Sequence, residues 1–324
     1  MFSLEVTMVK VVILNDTTRD EGHIGCRLVM ENMRKLCREN GWNVLFCDQN
    51  GRNGFSKKEF QAAIAPADIV LLNGEGTLHD DAGSVWLQKA EIAKENHKKV
   101  CLLNATWQNN PQNKRYLSCF DLLSFRDEKS LREAERDGAE NIFCTPDLSF
   151  YSFNKLRRIE HTAVRDMLCI DSTLKSVTAA LIKYAYKNDC DICFMYEKKR
   201  KAWASKLVCR WQNFWSRRHF ELLSSAERIA RYQKIVSGRY HACCLAFMMN
   251  IPTLGIGSNT WKTEALYQEA GLTEFFLPEI SKNLNERILS FAGLSPEAWQ
   301  EKCFEYSSQA QRKIKFLFRL LEHI

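Results

Sequence analysis

The chain has 324 residues, more than one hydrophobic core usually organises, so about two domains are expected. Hydrophobic residues make up 45% and charged residues 26%, which excludes a disordered or fibrous protein, and no apolar run approaches the ~20 residues of a membrane-spanning helix. The net charge of +7 is concentrated, because eight Lys or Arg and no acid fall between Lys198 and Arg218, and this excess indicates a local anionic partner.

The first half of the chain alternates short β-branched runs with amphipathic segments of helix length, which is typical of βαβ units and a parallel sheet. The predicted strands are 9–14, 43–47, 68–72, 99–104, 122–126 and 141–144, and predicted helices include 24–39, 84–96 and 127–136. After Pro146 the alternation lapses, and the aromatic and basic stretch 148–158 is interpreted as a linker. The two predicted domains are therefore 1–155 and 156–324.

A second alternating series follows the linker. Its predicted strands are 167–170, 191–195, 234–236, 253–256 and 274–277, and its predicted helices are 172–186, 199–219, 241–249, 261–269, 280–291 and 295–321. The fold class predicted from both halves is α/β, with two doubly wound domains facing across a cleft. Since such sheets bind ligands beyond the carboxyl ends of their strands, the loops after the strands are where a site is expected.

Two loops of the first domain have residues suited to binding. In the loop after the third strand, Gly74, Glu75, Gly76, Thr77 and His79 bring flexible backbone N–H groups beside a carboxylate and an imidazole, although a plain tight turn is the alternative. A dinucleotide fingerprint would need a third glycine where His79 stands, and no Walker A sequence occurs.

The loop after the first strand runs through Asn15 and Asp16 to His23 and leads into a helix. A helix N-terminus suits a phosphate, a carboxylate or a sugar hydroxyl, and ordinary capping by Asp20 is the alternative.

Arg126 ends the fifth strand, and Ser130 follows in a helix start. An arginine at a strand end is well shaped for bidentate binding of carboxylate or phosphate. The alternative is a surface ion pair with Asp127 or Glu128.

The strongest local signal lies in the second domain, where Gly238, Arg239 and His241 join a strand to an apolar helix. The next strand is followed by a loop with small polar side chains and a lysine. These residues are Ser258, Asn259, Thr260 and Lys262. Two adjacent loops of this kind predict a phosphate pocket with His241 as a proton carrier, against the alternative of a structural histidine.

The cysteines and the N-terminus both favour a reducing compartment. Thirteen cysteines are scattered through apolar runs, as expected for free thiols, and Met1–Lys10 lacks the pattern of a secretory signal, so a cytoplasmic protein is expected. The H-x-x-C pair, His23 and Cys26, and the C-x-x-C pair, Cys190 and Cys193, lie in opposite halves of the chain. Core packing is therefore favoured over a zinc site, and neither a metal nor a cofactor is expected.

Several of these motifs together resemble the polysaccharide pyruvyl transferase family, from the Asn15 loop to about Leu272. The motifs are G-E-G-T-L-H, the helix start with Arg126 and Ser130, Pro146-Asp147, Asp171-Ser172, G-R-Y-H-A and S-N-T-x-K. The resemblance implies two Rossmann-like domains of the GT-B type, with acceptor binding and part of the donor site on the first domain and donor binding on the second. It also implies transfer of a pyruvyl group from phosphoenolpyruvate to two hydroxyls of a bacterial cell-surface or lipid-linked saccharide, giving a cyclic ketal without a metal.

The resemblance also implies roles for single residues. Arg126 and Arg239 match positions that hold the phosphate and carboxylate, His241 is the acid or phosphate donor, and Glu75 or His79 is the base for the incoming hydroxyl. The loops around His23 and Ser258–Lys262 resemble a branch that includes glycosyltransferases using a CMP-activated acidic sugar, such as sialic acid or Kdo. This alternative stays open, as does a catalytically silent scaffold.

The basic segment forms a predicted helix with a stripe of large apolar side chains at four-residue spacing. The stripe and one of its basic neighbours are Trp203, Leu207, Trp211, Trp215 and Arg210. Aromatic and basic residues in this pattern predict docking to an anionic membrane surface, peripheral at the inner membrane, and a core-facing stripe is the alternative. A noncatalytic nucleic-acid binder is the runner-up, which the balanced charge of the remaining chain disfavours.

Overall fold

The computed structural model describes residues 8–19, 23–49, 51, 55–208, 220–279, 284–293 and 296–324. The chain divides into two compact units, each assembled from separate segments. The first unit comprises Met1–Arg19, Val29–Leu148 and Arg312–Ile324, and the second comprises Asp20–Leu28 and Ser149–Gln311.

The strands of the first unit form a six-stranded parallel sheet in the described residues, in the order β2-β1-β3-β4-β5-β6. They are β1 (Lys10–Leu14), β2 (Asn43–Asp48), β3 (Ile69–Asn73), β4 (Lys99–Ala105), β5 (Leu122–Phe125) and β6 (Ile142–Cys144). The helices between them are α1 (Ile24–Glu39), α2 (Lys57–Ile64), α3 (Ser84–Glu95) and α4 (Glu128–Arg136). Every residue of β3 is buried, as expected for a parallel strand covered on both faces.

The second unit also has a six-stranded parallel sheet in its described part, in the order β12-β11-β10-β7-β8-β9. Its strands are β7 (Arg165–Ser172), β8 (Asp191–Phe194), β9 (Phe220–Leu222), β10 (Tyr232–Gly238), β11 (Thr253–Ile256) and β12 (Phe276–Leu277). The remaining helices are α5 (Phe153–Leu156), α6 (Lys175–Lys187), α7 (Glu197–Val208), α8 (Ala226–Ile229), α9 (Tyr240–Met248), α10 (Lys262–Glu269), α11 (Leu284–Ala292) and α12 (Glu297–Leu321). This confirms the predicted α/β class.

Each sheet has one point where the strand order reverses. In the first unit β1 lies between β2 and β3, and in the second unit β7 lies between β8 and β10. The connections that leave two such neighbouring strands run to opposite faces of the sheet, which opens a crevice at their carboxyl ends. These switch points are β1/β3 in the first unit and β7/β10 in the second.

The structure corrects some predicted elements. The stretch interpreted as a linker is folded, with a 3-10 turn at Leu148–Ser152 followed by α5, because its aromatic side chains, such as Phe150 and Phe153, are buried. The predicted strand 274–277 begins with a 3-10 turn at Thr273–Phe275, so β12 retains only two residues. The short strand β9 and helix α8 escaped prediction because three and four residues span too few repeats to show a periodic pattern.

The long basic helix is described only in part. Helix α7 ends at Val208, and the remainder of the predicted helix, 209–219, lies outside the described residues. Across the part of the chain that the structure covers, no helix combines the length and apolar character needed to cross a bilayer.

Candidate active site

The switch point of the second unit brings two strand ends into unusually close contact. Gly238, the last residue of β10, pairs with Ser172, the last residue of β7, after a register shift between Ser237 and Gly238. A Cβ on Gly238 would lie 2.4 Å from the Cβ of Ser172, so a glycine is required for the strands to approach this closely. As a result Asp171 and Arg239, on either side of this contact, face each other.

Arg239 and Asp171 form a buried bidentate ion pair. The Arg239 Nε donates to Asp171 Oδ1 at 3.0 Å, and Nη2 donates to Oδ2. The backbone N–H of Met195 donates to the same Oδ1 at 3.0 Å, which fixes the carboxylate from β8. The guanidinium also lies over the Tyr196 ring, 4.9 Å from its centroid. The arginine is thus held rigidly, with Nη1 outside the pair.

Two lysines add positive charge to this region. Lys199 Nζ donates to the carbonyl oxygens of Ser172 at 3.3 Å and Thr173 at 3.4 Å. Burial, together with the nearby charge of Arg239, lowers the pKa of Lys199. Lys262 begins α10, with Nζ 5.9 Å from the centroid of the Tyr240 ring. Grouped cations that have lost part of their hydration form a strong site for an anion.

The predicted catalytic histidine lies at the start of the fully buried helix α9. The His241 side chain is 7% exposed, and its ring lies 5.3 Å from that of His23, edge to face. A Cβ on Gly25 would approach the His241 Cγ to 2.2 Å, so the first turn of α1 packs directly on the imidazole. The structure therefore brings His23, from the loop before α1, close to His241 and Arg239, a grouping that the sequence analysis did not predict.

His23 caps helix α1. Its Nδ1 accepts a hydrogen bond of 3.1 Å from the backbone N–H of Cys26, the third residue of the helix, as an N-cap side chain does. Burial, with the neighbouring His241, Arg239 and Lys262, lowers the pKa of His23 well below 6.5. His23 is therefore neutral at physiological pH.

Three potential metal ligands meet here. One ligand atom each from His23, Cys26 and His241 lie within 4.8 Å of one another, and all three residues are buried. Cys190 and Cys193 do not belong to this group among the described residues. The nearby Arg239 and Lys262 oppose a bound cation electrostatically, and the hydrogen bond into His23 Nδ1 occupies one of the lone pairs that a metal would need.

The loop after β11 lies beside the same strand ends. Thr173 Oγ1 donates to Asn259 Oδ1 at 3.4 Å, and Ser258 Oγ donates to the Thr260 carbonyl at 3.4 Å. The buried Thr260 hydroxyl has no hydrogen-bond partner among the described residues. The Thr173–Asn259 contact joins the loop after β11 to the residue that follows β7.

The switch point of the first unit has a different chemistry. Asn15, directly after β1, has a φ of 61°, and its side chain donates to the Asn73 carbonyl at 2.7 Å, while the Asn73 amide donates back to the Asn15 carbonyl at 3.3 Å. Asn15 also donates to Thr77 Oγ1 at 3.4 Å. Glu75 is buried and accepts a hydrogen bond of 2.7 Å from the Thr17 hydroxyl. Amides, hydroxyls and one carboxylate thus line this strand edge.

Two further predicted residues of this unit, Asp16 and His79, have local roles. Asp16 pairs with Arg34 at 2.5 Å and accepts from the Thr18 hydroxyl at 2.7 Å, so its carboxylate orders the first loop. His79 lies in the loop beyond Gly74 and Gly76, with Nδ1 3.0 Å from Asp80 Oδ2. The hydrogen bond from Asn109, with that from His79, lowers the pKa of the exposed Asp80.

Arg126 is buried at the end of β5. Its Nη1 donates to Asp147 Oδ2 at 3.0 Å and its Nε to Thr106 Oγ1 at 2.6 Å. The pair with Asp147 differs from the surface pairs considered as alternatives. Ser130 donates to the N-cap residue Asp127 through both its backbone N–H, at 2.8 Å, and its hydroxyl, at 3.0 Å. The Ser130 hydroxyl therefore helps to cap α4.

Sequence reasoning missed three residues of the second unit's site: the carboxylate partner Asp171, the aromatic platform Tyr196 and the cation Lys199. In the sequence Asp171 is evident only as part of the motif Asp171-Ser172, and Lys199 only as part of the basic segment. Tyr196 lies two residues after the end of β8. Because ligands of such sheets bind beyond the strand ends, this position could have identified Tyr196 as a candidate.

The predicted membrane-docking residues are only partly visible. Trp203 is half-buried on α7, and Leu207 lies on the same helix. Arg210, Trp211 and Trp215 lie outside the described residues. Docking of this helix to an anionic membrane surface stays a prediction.

Solved structures share the fold. A UDP-GlcNAc 2-epimerase from Methanocaldococcus jannaschii, in complex with UDP-GlcNAc and UDP, has a TM-score of 0.61 at 13% identity and covers 96% of this chain and 99% of its own. A Listeria monocytogenes protein proposed to be a UDP-N-acetylglucosamine 2-epimerase has a TM-score of 0.61 at 11% identity, with 91% of each chain covered. The lipopolysaccharide outer core galactosyltransferase WaaB has a TM-score of 0.55 at 11% identity and covers 98% of this chain and 100% of its own. The fold is that of the GT-B glycosyltransferases.

The family follows from the sequence. The family model for polysaccharide pyruvyl transferase matches residues 23–260, more than half of the chain. The protein therefore belongs to the polysaccharide pyruvyl transferase family, as the motifs predicted, and is a transferase of polysaccharide biosynthesis. The matched range includes His23, Arg126, Arg239 and His241. No curated protein sequence matches the chain significantly.

Proposed function

We propose that the protein transfers the pyruvyl group of phosphoenolpyruvate to two hydroxyls of a bacterial cell-surface saccharide. The products are a cyclic ketal and inorganic phosphate. The observation that supports this most directly is the grouping of Arg239, Lys199, Lys262 and His241 at the β7/β10 switch point, since phosphoenolpyruvate carries both a phosphate and a carboxylate.

The reaction requires protonation of a carbon atom of phosphoenolpyruvate and loss of its phosphate group. His241 donates a proton to the methylene carbon of phosphoenolpyruvate, which makes the adjacent carbon electrophilic, and the first sugar hydroxyl adds there and loses its proton. The phosphate then leaves with the electron pair of its C–O bond, and the second hydroxyl adds to the same carbon and transfers its proton to phosphate. The two hydroxyl protons thus account for the new methyl hydrogen and the proton on phosphate.

The arginine and lysines hold the anion while this charge moves. The Asp171 carboxylate and the Tyr196 ring fix the guanidinium of Arg239 before the donor binds, so little ordering is needed on binding. Lys199 is already partly stripped of water, which strengthens its attraction to phosphate oxygens. In the first unit, Glu75 is proposed as the base for the hydroxyl, with Thr17 orienting its carboxylate.

Donor identity is tested by binding and release. The purified chain is tested for thermal stabilisation and product release with phosphoenolpyruvate, with a CMP-linked sialic acid and with UDP-GlcNAc. A donor present at ~100 times its dissociation constant adds ~2.7 kcal/mol to the free energy of unfolding. Stabilisation by phosphoenolpyruvate with release of phosphate is the expected result. Stabilisation by the CMP-sugar alone, with release of CMP, would overturn the proposal in favour of a glycosyltransferase.

A matched pair of lysine variants locates the donor. Lys199→Met removes a cation beside Arg239, and Lys198→Met removes its exposed neighbour on the same helix. We expect the dissociation constant for phosphoenolpyruvate to rise about tenfold or more in the first variant and to stay unchanged in the second, because charge-assisted hydrogen bonds are worth about 1.5–3 kcal/mol. Equal affinities in the two variants would remove this region as the donor site.

A further inference from the structure

The ring of His23 has one nitrogen engaged and one available. The Cys26 N–H donates a hydrogen bond of 3.1 Å into Nδ1 of this ring. Since Nδ1 accepts this hydrogen bond, the ring proton resides on Nε2. The residue as a whole is 7% exposed.

The surroundings of His23 define what the Nε2–H can meet. Its ring contacts Tyr196 at 4.7 Å and His241 at 5.3 Å between centroids, and Tyr196 also carries the guanidinium of Arg239. The ring therefore belongs to the same group of side chains that is proposed to hold the donor. An anion bound within this group would offer an acceptor to the Nε2–H.

The same arrangement opposes a metal ion. Binding through Nε2 would require the ring proton to move to Nδ1, which would then face the Cys26 N–H, donor against donor. Binding through Nδ1 would break the helix cap. The positive charges of Arg239 and Lys262 add a repulsion that an anion does not experience.

We infer that His23 is a binding residue whose Nε2–H donates a hydrogen bond to an oxygen of the anionic donor, while its Nδ1 accepts the N–H that caps helix α1. This inference rests on the proposed function for the identity of the donor, although the anion itself can be probed with inorganic phosphate.

Two substitutions separate the two nitrogens. In His23→Asn the side-chain oxygen can still accept from the Cys26 N–H, since asparagine is a favoured N-cap. The shorter side chain has no N–H at the position of Nε2, so the hydrogen bond to the anion is lost. In His23→Gln the longer amide can place an N–H near the position of Nε2, but it is a poorer cap. We expect His23→Asn to keep the stability of the wild type and to raise the dissociation constant for inorganic phosphate, and the KM for phosphoenolpyruvate, at least about tenfold.

The glutamine variant gives the complementary result. We expect His23→Gln to keep phosphate affinity and KM within about threefold of the wild type while losing about 1 kcal/mol of stability through the missing cap. A purely structural role for His23 predicts the reverse, with asparagine restoring both measurements and glutamine neither. That reverse pattern would overturn the inference.

Two controls separate this inference from the proposed function. Wild-type protein that binds neither phosphate nor phosphoenolpyruvate would overturn both. Wild-type protein that binds phosphate, with His23→Asn binding it equally, would overturn the role of His23 alone. One equivalent of Zn²⁺ bound by the wild type and lost in both His23→Asn and Cys26→Ser would also overturn it, because the three side chains would then form a metal site.

Discussion

The two switch points have the same strand geometry and opposite chemistry. At β1/β3 the residues after the strands are Asn15, Glu75 and their hydrogen-bonded neighbours, which suit hydroxyl groups. At β7/β10 they are Arg239 and His241, joined by Lys199, which suit an anion. The topology decides where a ligand binds, and the first residues beyond each strand decide which ligand it is.

The two units nevertheless share one device. Each buries an arginine from one strand end against an aspartate from the loop or end of the neighbouring strand, Arg126 with Asp147 and Arg239 with Asp171. The aspartates are fully buried, so neither pair gains its stability from exposed charge. Such pairs fix the orientation of a guanidinium, and breaking one leaves an uncompensated buried charge.

The largest expected effect comes from breaking these pairs. Asp171→Ala and Asp147→Ala should each lower the free energy of unfolding by about 3–5 kcal/mol, measured by urea denaturation, because each leaves an arginine buried without its carboxylate. Arg165→Ala is the control, since its ion pair with Asp191 is half exposed and should contribute at most about 1 kcal/mol. If all three variants lose the same stability, the burial of the pairs is not what distinguishes them.

His241→Gln tests whether the β7/β10 switch point takes part in catalysis as well as in binding the donor. We expect the rate constant for phosphate release from phosphoenolpyruvate to fall about 10²–10⁴-fold, since the substitution removes the proposed general acid, while phosphate affinity changes little. The exposed His161 provides the matched control, and His161→Gln should leave the rate unchanged. A normal rate in His241→Gln would assign the proton to another group.

Much of this comparison was predictable from the sequence, because strands, loops and strand ends follow from hydrophobic alternation and turn residues. Arg239, His241 and Glu75 were identified as candidates in this way. The partners Asp171 and Asp147 were not assigned their roles, since a pair between residues 68 positions apart, such as Asp171 and Arg239, depends on which strands become neighbours. The strand order of each sheet supplies that information.

The capping role of His23 shows the other limit of the sequence. The H-x-x-C spacing suggested ligands for a metal or core packing, and the same spacing is also that of an N-cap side chain and the third residue of its helix. Only the hydrogen bond into Nδ1 distinguishes these interpretations. The assembly of each unit from separate segments is likewise invisible to a pattern that follows the chain in order.

Glu75→Gln tests the role of the carboxylate at the β1/β3 switch point. The glutamine oxygen can still accept from the Thr17 hydroxyl, so the loop should keep its structure, but the proposed base is removed. We expect saccharide-dependent turnover to fall about 10²-fold with the affinity for phosphoenolpyruvate unchanged, which is the opposite of the Lys199→Met result. Glu91→Gln, an exposed substitution on α3, is the control. A loss of donor affinity in Glu75→Gln would contradict the division of chemistry between the two switch points.

The smallest expected effect is a pH dependence of stability that arises from His23, beside the β7/β10 switch point. The folded protein keeps His23 neutral, surrounded by His241, Arg239 and Lys262, whereas the unfolded chain protonates it below about pH 6.5. The unfolded state then binds more protons, so the contribution of His23 to stability is present above pH 6.5 and declines as the pH falls, by roughly 1 kcal/mol between pH 7.5 and 5.5. In His23→Asn, which retains the cap and does not titrate, urea unfolding should show that much less loss of stability over the same range, while His161→Asn should follow the wild type. Parallel curves for the wild type and His23→Asn would mean that the folded state protonates His23 as readily as the unfolded chain does.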